Sequence, residues 1–239
     1  IVARNRNDPL SPKEHSMSMS GLTFTGNRAS ECGAMLVDGF SRIAVMDSLS
    51  FVDNIATAGN GGALCVFNSS FSLLKSGGAS SLGSDRDNST AAVIVHKFSG
   101  NRALRAAGGA CFYAGFANAS SEFGKQVELT DNRAAWGHDF ATVPSRITIT
   151  PARIEVSPGA NAGNNLTIWL RDAHSSIATT ASAIVEETSH ASPTVFAIVG
   201  GRADLTGLPV FLPPGNATID YRVRGLASAI ARLHVHVTS

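Results

Sequence analysis

Apolar and polar positions in the first half of the chain follow a repeated phrase and show no helical period. A phenylalanine or leucine is followed three positions later by asparagine and then, two positions on, by alanine. Each copy leads into one or two glycines and a short apolar strand-like run, which the i, i+3, i+4 spacing of an amphipathic helix does not explain. The four copies are Phe24-Asn27-Ala29, Phe51-Asn54-Ala56, Phe98-Asn101-Ala103 and Leu129-Asn132-Ala134.

The spacing of the copies predicts the architecture of this half. Consecutive copies begin 27, 47 and 31 residues apart. The long interval contains a polar, glycine- and serine-rich stretch at 76–90 that has the composition of a loop insertion. Without it the period is about 30 residues, which predicts one coil of a parallel β-helix per repeat. We expect a leading segment at 1–19, continuing from a longer chain, and about four coils at 20–143.

Each residue type in the phrase has a physical role in such a coil. Equivalent side chains of successive coils lie about 4.8 Å apart, so they touch. We expect the phenylalanines and the leucine to stack inside, with the alanines filling the corner behind them. Asparagine tolerates left-handed backbone and bonds local backbone groups, and glycine permits positive φ where the next strand begins. The predicted structural ladder is Phe24, Phe51, Phe98, Leu129, Asn27, Asn54, Asn101 and Asn132.

These motifs resemble a known repeat. FTGN, FVDN and FSGN, together with GGAL and GGAC, are similar to the paired FxxN and GGA[I/L] repeats of the chlamydial polymorphic outer membrane proteins and of large algal and protist cell-surface proteins. LTDN and the closing WGHDFAT are variant copies. The resemblance covers roughly residues 20–142 and implies a right-handed β-helix in an extracellular structural or adhesive protein. It carries over no catalytic residue, and the small number of coils departs from the family.

The second half has a different pattern. Residues 146–239 contain short alternating runs separated by turn residues, such as NLTIWLRDA, ATIDYRVRG and ARLHVHVTS. Such spacing predicts an immunoglobulin-like β-sandwich. The predicted fold class is therefore all-β, with a short right-handed parallel β-helix followed by an Ig-like sandwich.

The net charge and the hydropathy of the chain argue against two classes of partner, nucleic acids and membranes. The net charge of +1 and the low content of charged residues, 15%, give no bulk attraction to nucleic acid or to an anionic membrane. No run of 18 apolar residues occurs, so no membrane insertion is expected.

The three cysteines all lie beside the glycine motif. Cys32, Cys65 and Cys111 show neither C-x-x-C nor zinc spacing. Alignment on the glycines places Cys65 opposite Phe112 and Cys111 opposite Leu64, so strand alternation sends these two side chains to different faces. Buried free thiols are the expected state, and one internal disulfide remains the alternative.

Candidate chemistry is sparse. A β-helix enzyme acting on polysaccharides needs clustered carboxylates, and the repeat strands offer only Asp38. We therefore expect no enzyme activity, metal or cofactor. The weaker candidates, each more simply explained as solvated surface, are Asp85, Asp87 and Asn88 as cation ligands, Arg28, Arg102 and Arg133 as a basic stripe, and His234 and His236 as metal ligands lacking a third partner.

Glycosylation sequons give an indirect indication of location. All five lie at predicted strand ends or turns and none coincides with a ladder asparagine, which favours glycosylation over chance occurrence. The candidate sites are Asn68, Asn88, Asn118, Asn165 and Asn216.

Together these patterns predict a structural or adhesive module of a large extracellular cell-surface glycoprotein. We expect it to belong to a filamentous or coat assembly, such as an algal or protist surface or ciliary hair. Its expected partners are other modules or subunits of that assembly, because coil ends and sandwich edges present unpaired strand groups. The alternatives are a carbohydrate-active enzyme or glycan-binding module on a β-helix scaffold, and a bacterial autotransported passenger without N-glycans.

Overall fold

The computed structural model of the chain is built from β-strands. It describes residues 1–4, 16–40, 42–45, 47–69, 71–73, 95–114, 127–163, 165–189 and 194–238. These ranges contain no helix, so the predicted all-β class is confirmed. The same ranges therefore offer no helix that could span a membrane. The chain divides into two compact units, Ile1–Thr142 and Val143–Ser239.

The first unit contains four sheets, A to D, in which all neighbouring strands are parallel. Sheet A consists of β1 (Val2–Arg4), β5 (Met35–Asp38), β9 (Leu64–Phe67), β13 (Cys111–Ala114) and β16 (Phe140–Thr142). Sheet B consists of β2 (Ser16–Met19), β6 (Arg42–Val45) and β10 (Phe71–Leu73). Sheet C consists of β3 (Leu22–Thr25), β7 (Leu49–Val52), β11 (His96–Ser99) and β14 (Val127–Thr130). Sheet D consists of β4 (Arg28–Ala29), β8 (Ile55–Ala56), β12 (Arg102–Ala107) and β15 (Arg133–Trp136).

The chain visits the sheets in the same order each time. One passage from A to D is here called a circuit: β1 to β4, β5 to β8, β9 to β12, and β13 to β15, the last of which has strands in sheets A, C and D among the described residues. The leading segment supplies β1 and β2, so the parallel sheets begin before residue 20, where the sequence places the first repeat. The insertion at 76–90 lies outside the described residues.

The interior holds a column of aromatic rings. Phe24, Phe51 and Phe98 occupy equivalent register positions in sheet C. Their ring centroids are 4.9 Å apart at both steps, with interplanar angles of 6° and 16°. Leu129 continues the register beneath Phe98, but it is 36% exposed, so its expected place in an internal stack is wrong. In the part of the chain that the structure describes, β14 is the edge strand of sheet C, with β11 as its neighbour on one side.

Sheet A supplies a second part of the core. Met35, Leu64 and Cys111 are in register and almost wholly buried, and they pack with the phenylalanine column in one apolar cluster. In β5, β9 and β13 three consecutive residues are buried, so both faces of this sheet are covered. The outward row includes Cys65 and Phe112, as the glycine alignment predicts.

The second unit contains a three-stranded and a five-stranded sheet. All strand pairs are antiparallel except β18 with β24, which is parallel. Sheet E has the order β17 (Arg146–Thr150), β19 (Thr167–Arg171), β22 (Arg202–Asp204). Sheet F has the order β18 (Arg153–Val156), β24 (Leu226–Val237), β23 (Gly215–Val223), β20 (Ala183–Glu187), β21 (Val195–Ile198).

Alternating side chains of both sheets form the core of this unit. From Ala229 to Val237, β24 alternates strictly between buried and exposed residues, the period-two pattern of a sheet with one buried face. β17 of sheet E lies against β24 of sheet F. The buried side chains include Ile147, Ile149, Ile168 and Leu170 of sheet E, and Val185, Ile219, Leu233 and Val235 of sheet F.

The expectation of free thiols is wrong for two of the three cysteines. Cys32, in the turn before β5, forms a disulfide with Cys65 of β9. The cross-link joins one circuit to the next, although the two cysteines are 33 residues apart in the sequence. Cys111 is a buried free thiol, and burial raises the pKa of that thiol far above its usual range.

We expect loss of this disulfide to lower the free energy of unfolding by about 3 kcal/mol, because it closes a long loop in the unfolded chain. The test compares the chain with the double variant Cys32→Gly/Cys65→Ala by chemical denaturation. Glycine suits position 32, where φ is +51°. Reductant should destabilise the unsubstituted protein and leave the variant unchanged; equal sensitivity of the two proteins would contradict the expectation.

Candidate functional site

The asparagines of the repeated phrase form a continuous hydrogen-bonded ladder. The backbone N–H and the side-chain Nδ2 of Asn54 both donate to Oδ1 of Asn101, at 3.0 Å each. Asn101 donates in the same way to Asn132, at 3.1 and 2.9 Å, and Asn27 donates to Asn54 at 3.0 and 2.9 Å. Asn54 and Asn101 are fully buried. Each amide oxygen therefore satisfies two donors of the circuit above it.

The amides also bond the carbonyls of the aromatic column. Nδ2 of Asn54 donates to the carbonyl of Phe24, and Nδ2 of Asn101 donates to that of Phe51, both at 3.0 Å. Nδ2 of Asn132 donates in the same way to the carbonyl of Phe98, at 2.9 Å. It also donates to Oδ1 of Asp139, at 3.0 Å. Asp139 thus takes the acceptor position that the next asparagine would hold.

The left-handed residue of the phrase is the one before the asparagine, and not the asparagine itself. Gly26, Asp53, Gly100 and Asp131 have φ angles between +52° and +66°. Glycine avoids the steric cost of this conformation, and aspartate tolerates it better than most residues. The phrase is therefore [F/L]-x-[G/D]-N, a regularity visible in all four copies. Sequence reasoning assigned the special backbone to the wrong position.

The paired glycines have two different tasks. The first of each pair has positive φ, +67° at Gly61 and +71° at Gly108. The second lacks space for a side chain: a Cβ on Gly62 would lie 2.1 Å from the carbonyl oxygen of Gly109, and a Cβ on Gly109 would lie 2.1 Å from that of His138. Only glycine lets adjacent circuits approach this closely. The last copy replaces the second glycine by His138, at the end of the stack.

His96 is a polar residue inside the apolar core that sequence reasoning missed. It is fully buried, and its Nδ1 accepts the backbone N–H of Leu49 at 3.2 Å. Its Nε2 has no hydrogen-bond partner among the described residues. Burial lowers the pKa of His96, although the nearby carboxylate of Asp47 opposes the shift. The neutral ring is therefore the form that the fold accommodates.

This burial makes stability depend on pH. Because the pKa of His96 is lower in the folded state than its unfolded value of about 6.5, the unfolded chain binds the proton first as pH falls. Stability from this group is present above the unfolded pKa and is lost as pH falls towards the folded pKa. We expect His96→Gln, which keeps an acceptor for Leu49, to flatten the slope of unfolding free energy between pH 7 and 5 by up to about 1.4 kcal/mol per pH unit.

The control for that measurement is His138→Gln. His138 also accepts a backbone N–H, from Ala134 at 3.2 Å, but it is exposed. The variant at position 138 should keep the original slope. An unchanged slope in His96→Gln would contradict the assignment.

The predicted basic stripe is interrupted. Arg102 and Arg133 are neighbours in sheet D and both are exposed, but Ile55 lies in register between Arg28 and Arg102. The cation candidates Asp85, Asp87 and Asn88 lie outside the described residues. Within the described residues no three His, Cys, Asp or Glu side chains come together as a metal site.

Three sequons lie on the described surface. Asn68 directly follows β9, Asn165 precedes β19, and Asn216 is the second residue of β23; all three are exposed. Nδ2 of Asn68 donates to Asp38 at 3.3 Å. Asn88 and Asn118 lie outside the described residues.

Two surface clefts of the second unit each contain a sequon. The larger, about 690 Å³, crosses the exposed face of sheet F and contains Asn216, Thr218, His234 and His236. Nδ1 of His236 lies 2.9 Å from Oδ1 of Asn216. The smaller, about 290 Å³, lies on the exposed face of sheet E and contains Asn165.

Comparisons with family models, curated proteins and solved structures found no match to this chain.

The smaller cleft combines an aromatic ring with varied polar groups. The guanidinium of Arg202 lies 6.0 Å from the ring centroid of Trp169. Asp204 accepts the backbone N–H of Thr206 at 2.9 Å. Hydrogen bonds from Thr206, with a smaller contribution from Arg202, hold the pKa of Asp204 below its usual range, so its carboxylate is charged at neutral pH. The cleft offers one apolar platform, a carboxylate, a guanidinium and several hydroxyls.

Proposed function

We propose that the chain is a structural or adhesive module of a large extracellular cell-surface glycoprotein, with a short right-handed parallel β-helix followed by an Ig-like β-sandwich. The observation that carries the proposal is the asparagine ladder. The most regular residues of the chain bond one another and the backbone, so their regularity is explained by the fold itself. Function then lies on the surfaces that the circuits present.

The strand order supports both parts of the proposed fold. The chain passes repeatedly through sheets A to D in one order, with parallel neighbours one repeat apart, and this supports the proposed β-helix. The second unit has a three-stranded and a five-stranded sheet with antiparallel pairs apart from β18 with β24, and this supports the proposed immunoglobulin-like sandwich.

Two observations support an extracellular location. The disulfide between Cys32 and Cys65 suits an oxidising compartment. The three described sequons, at Asn68, Asn165 and Asn216, are exposed, as glycosylation requires. None of these asparagines belongs to the ladder.

Open strand edges support partnership with other modules of the same assembly. β3 and β4 form the upper edges of sheets C and D, and β14 and β15 form the lower edges, in the described strand order. Edge strands pair readily with another chain. In the second unit β21 is an edge strand that exposes Val195, which is 50% exposed. We propose strand-edge contacts between neighbouring modules of a filament or coat.

The test is secretion of the full chain from a eukaryotic cell, followed by glycopeptide mass spectrometry. We expect glycan on at least two of Asn68, Asn165 and Asn216, and a Cys32–Cys65 peptide in a non-reducing digest. Single Asn→Gln variants at each site serve as mass controls. Secreted protein that is bare at all three sites and contains only free thiols would contradict the extracellular proposal.

A glycan-binding module is the second candidate, favoured by Trp169 in its polar cleft. Aromatic faces bordered by hydroxyls and carboxylates suit sugar rings, which carry both apolar and hydrogen-bonding surfaces. A secreted Trp169→Ala variant that loses binding to an immobilised glycan held by the original chain would favour this candidate. Equal absence of binding in both would favour the structural role.

A further inference from the structure

The exposed face of sheet E is polar and has one aromatic side chain, Trp169, at its centre. Trp169 of β19 has Thr148 and Arg202 as its register partners on the two flanking strands. Two residues along the strands, the same face carries a second row of register partners: Thr150, Thr167 and Asp204. The same face thus presents three hydroxyls, a carboxylate and a guanidinium around one ring.

Asn165 stands at the end of that face. Asn165 lies two residues before β19 in left-handed backbone, with φ +77°. Its backbone N–H donates to Oγ1 of Thr206 at 3.2 Å, which fixes its backbone beside the cleft. Thr167 and Trp169 of β19 and Thr206 line the same cleft as Asn165. Leu166 and Ile168, which lie between them in the chain, are buried.

The chemistry of the cleft suits an oligosaccharide. An N-linked glycan begins with N-acetylhexosamines, whose ring faces are apolar and whose rims carry hydroxyls and acetamido groups. A ring lying on Trp169 would place its rim beside Asp204 and Arg202, which are both exposed enough to bond a ligand, with 52% and 54% of their side chains exposed. Thr150 and Thr167 would meet the sugars nearer to the asparagine.

We propose that this cleft is a saccharide-binding subsite occupied by the first sugars of a glycan carried on Asn165 of the same chain. The proposal rests on the glycosylation included in the proposed function. The glycan is anchored covalently at one end of the cleft and held by Trp169 at the other. It covers the exposed face of sheet E, which leaves the strand edges for contacts with neighbouring modules.

The chain provides its own control. The other described cleft contains the sequon asparagine Asn216, but its lining includes no Trp, Tyr or Phe, and its rings are the imidazoles of His234 and His236. A glycan on Asn216 therefore has no large apolar ring on which to pack. Release of the two glycans can be followed site by site in one molecule.

The experiment uses the full glycosylated chain under native conditions. An amidase that cleaves N-glycans is added, and the half-life of each glycan is measured by glycopeptide mass spectrometry. We expect release from Asn165 to become about fivefold faster in Trp169→Ala, to stay slow in Trp169→Phe, and to be unchanged at Asn216 in both. Trp169→Leu, which keeps bulk but lacks a ring, gives the same test if the alanine variant does not fold.

The outcomes separate this inference from the proposed function. Equal release from Asn165 in the original chain and the ring-less variants overturns the inference and leaves the glycoprotein proposal standing. A bare Asn165 with glycan elsewhere does the same. Absence of glycan from all three described sequons overturns the proposed function, and the inference with it.

A second arm distinguishes the source of the sugar. In Asn165→Gln the emptied cleft should bind added chitobiose, detected by Trp169 fluorescence in a Trp136→Phe background, whereas the glycosylated chain should not. Equal binding of chitobiose by both proteins would show that the cleft serves glycans of other molecules, and would overturn the proposal.

Discussion

Replacing Asn101 by leucine is expected to lower the free energy of unfolding of the first unit by about 5 kcal/mol. The change removes the acceptor for two donors of Asn54 and the donor to the carbonyl of Phe51. Asn101 is fully buried, so water cannot replace these bonds. Each buried polar group left without a partner costs about 1–3 kcal/mol. Leucine offers similar bulk and no compensating polar atom.

The measurement is chemical denaturation in a Trp169→Phe background, where fluorescence reports the first unit through Trp136. Asn27→Leu is the matched control, because Asn27 is exposed at the upper end of the ladder and its side chain makes one of the ladder bonds as a donor. We expect the control to cost about 1 kcal/mol or less. Similar losses at positions 27 and 101 would show that the buried ladder has no special contribution.

Replacing Gly109 by alanine is the second large effect that we expect, a loss of more than about 3 kcal/mol or failure of the fourth circuit to pack. The added Cβ would lie 2.1 Å from the carbonyl oxygen of His138 and 2.6 Å from the backbone nitrogen of Arg133. Both contacts are with backbone, which cannot move aside as a flexible side chain does. Relief requires the two circuits to separate, which lengthens their hydrogen bonds.

Gly26→Ala is the control for this substitution. Gly26 has a φ of +64°, but a Cβ there meets nothing within 4 Å. Its cost is therefore conformational only, about 1 kcal/mol. The two variants are compared by denaturation of the first unit, as above. A Gly109→Ala protein as stable as Gly26→Ala would mean that the circuits do not approach as closely as the structure has them.

Much of the first unit follows from its sequence, because stacking makes equivalent residues touch. Phe24, Phe51 and Phe98 recur at one position, and the structure places their rings in one column. The face assignment of Cys65 and Cys111 also follows from alignment and alternation. The repeats show which residues of successive strands are equivalent, and equivalent residues are in register. A single strand without a repeat carries no such information.

Other features depend on contacts that a repeat does not encode. The disulfide requires Cys32, in a turn, to reach Cys65 in a strand, and no alignment of equivalent positions pairs them. Asp139 ends the ladder as a substitute acceptor, and a lone aspartate in a variant copy carries no signal of that role. The exposure of Leu129 follows from its position on the last strand of sheet C.

The candidate sites of the second unit show the same limit. Asn165 and Trp169 are visible in the sequence, but Asn165 precedes β19 in left-handed backbone, so alternation along the strand does not place it. The partners that give this face its chemistry, Thr148, Arg202 and Asp204, come from other strands through antiparallel registers. Those registers depend on turn geometry and on the packing of both sheets, which short alternating runs leave open.

The most direct test of the ladder is residue-resolved hydrogen exchange at the backbone amides of Asn54 and Asn101. Both N–H groups donate to an asparagine side chain of the next circuit, inside the protein. We expect them to exchange at least about 10⁴-fold more slowly than in an unstructured peptide, close to the limit set by global unfolding. Exchange within about tenfold of the unstructured rate would contradict the ladder and the architecture built on it.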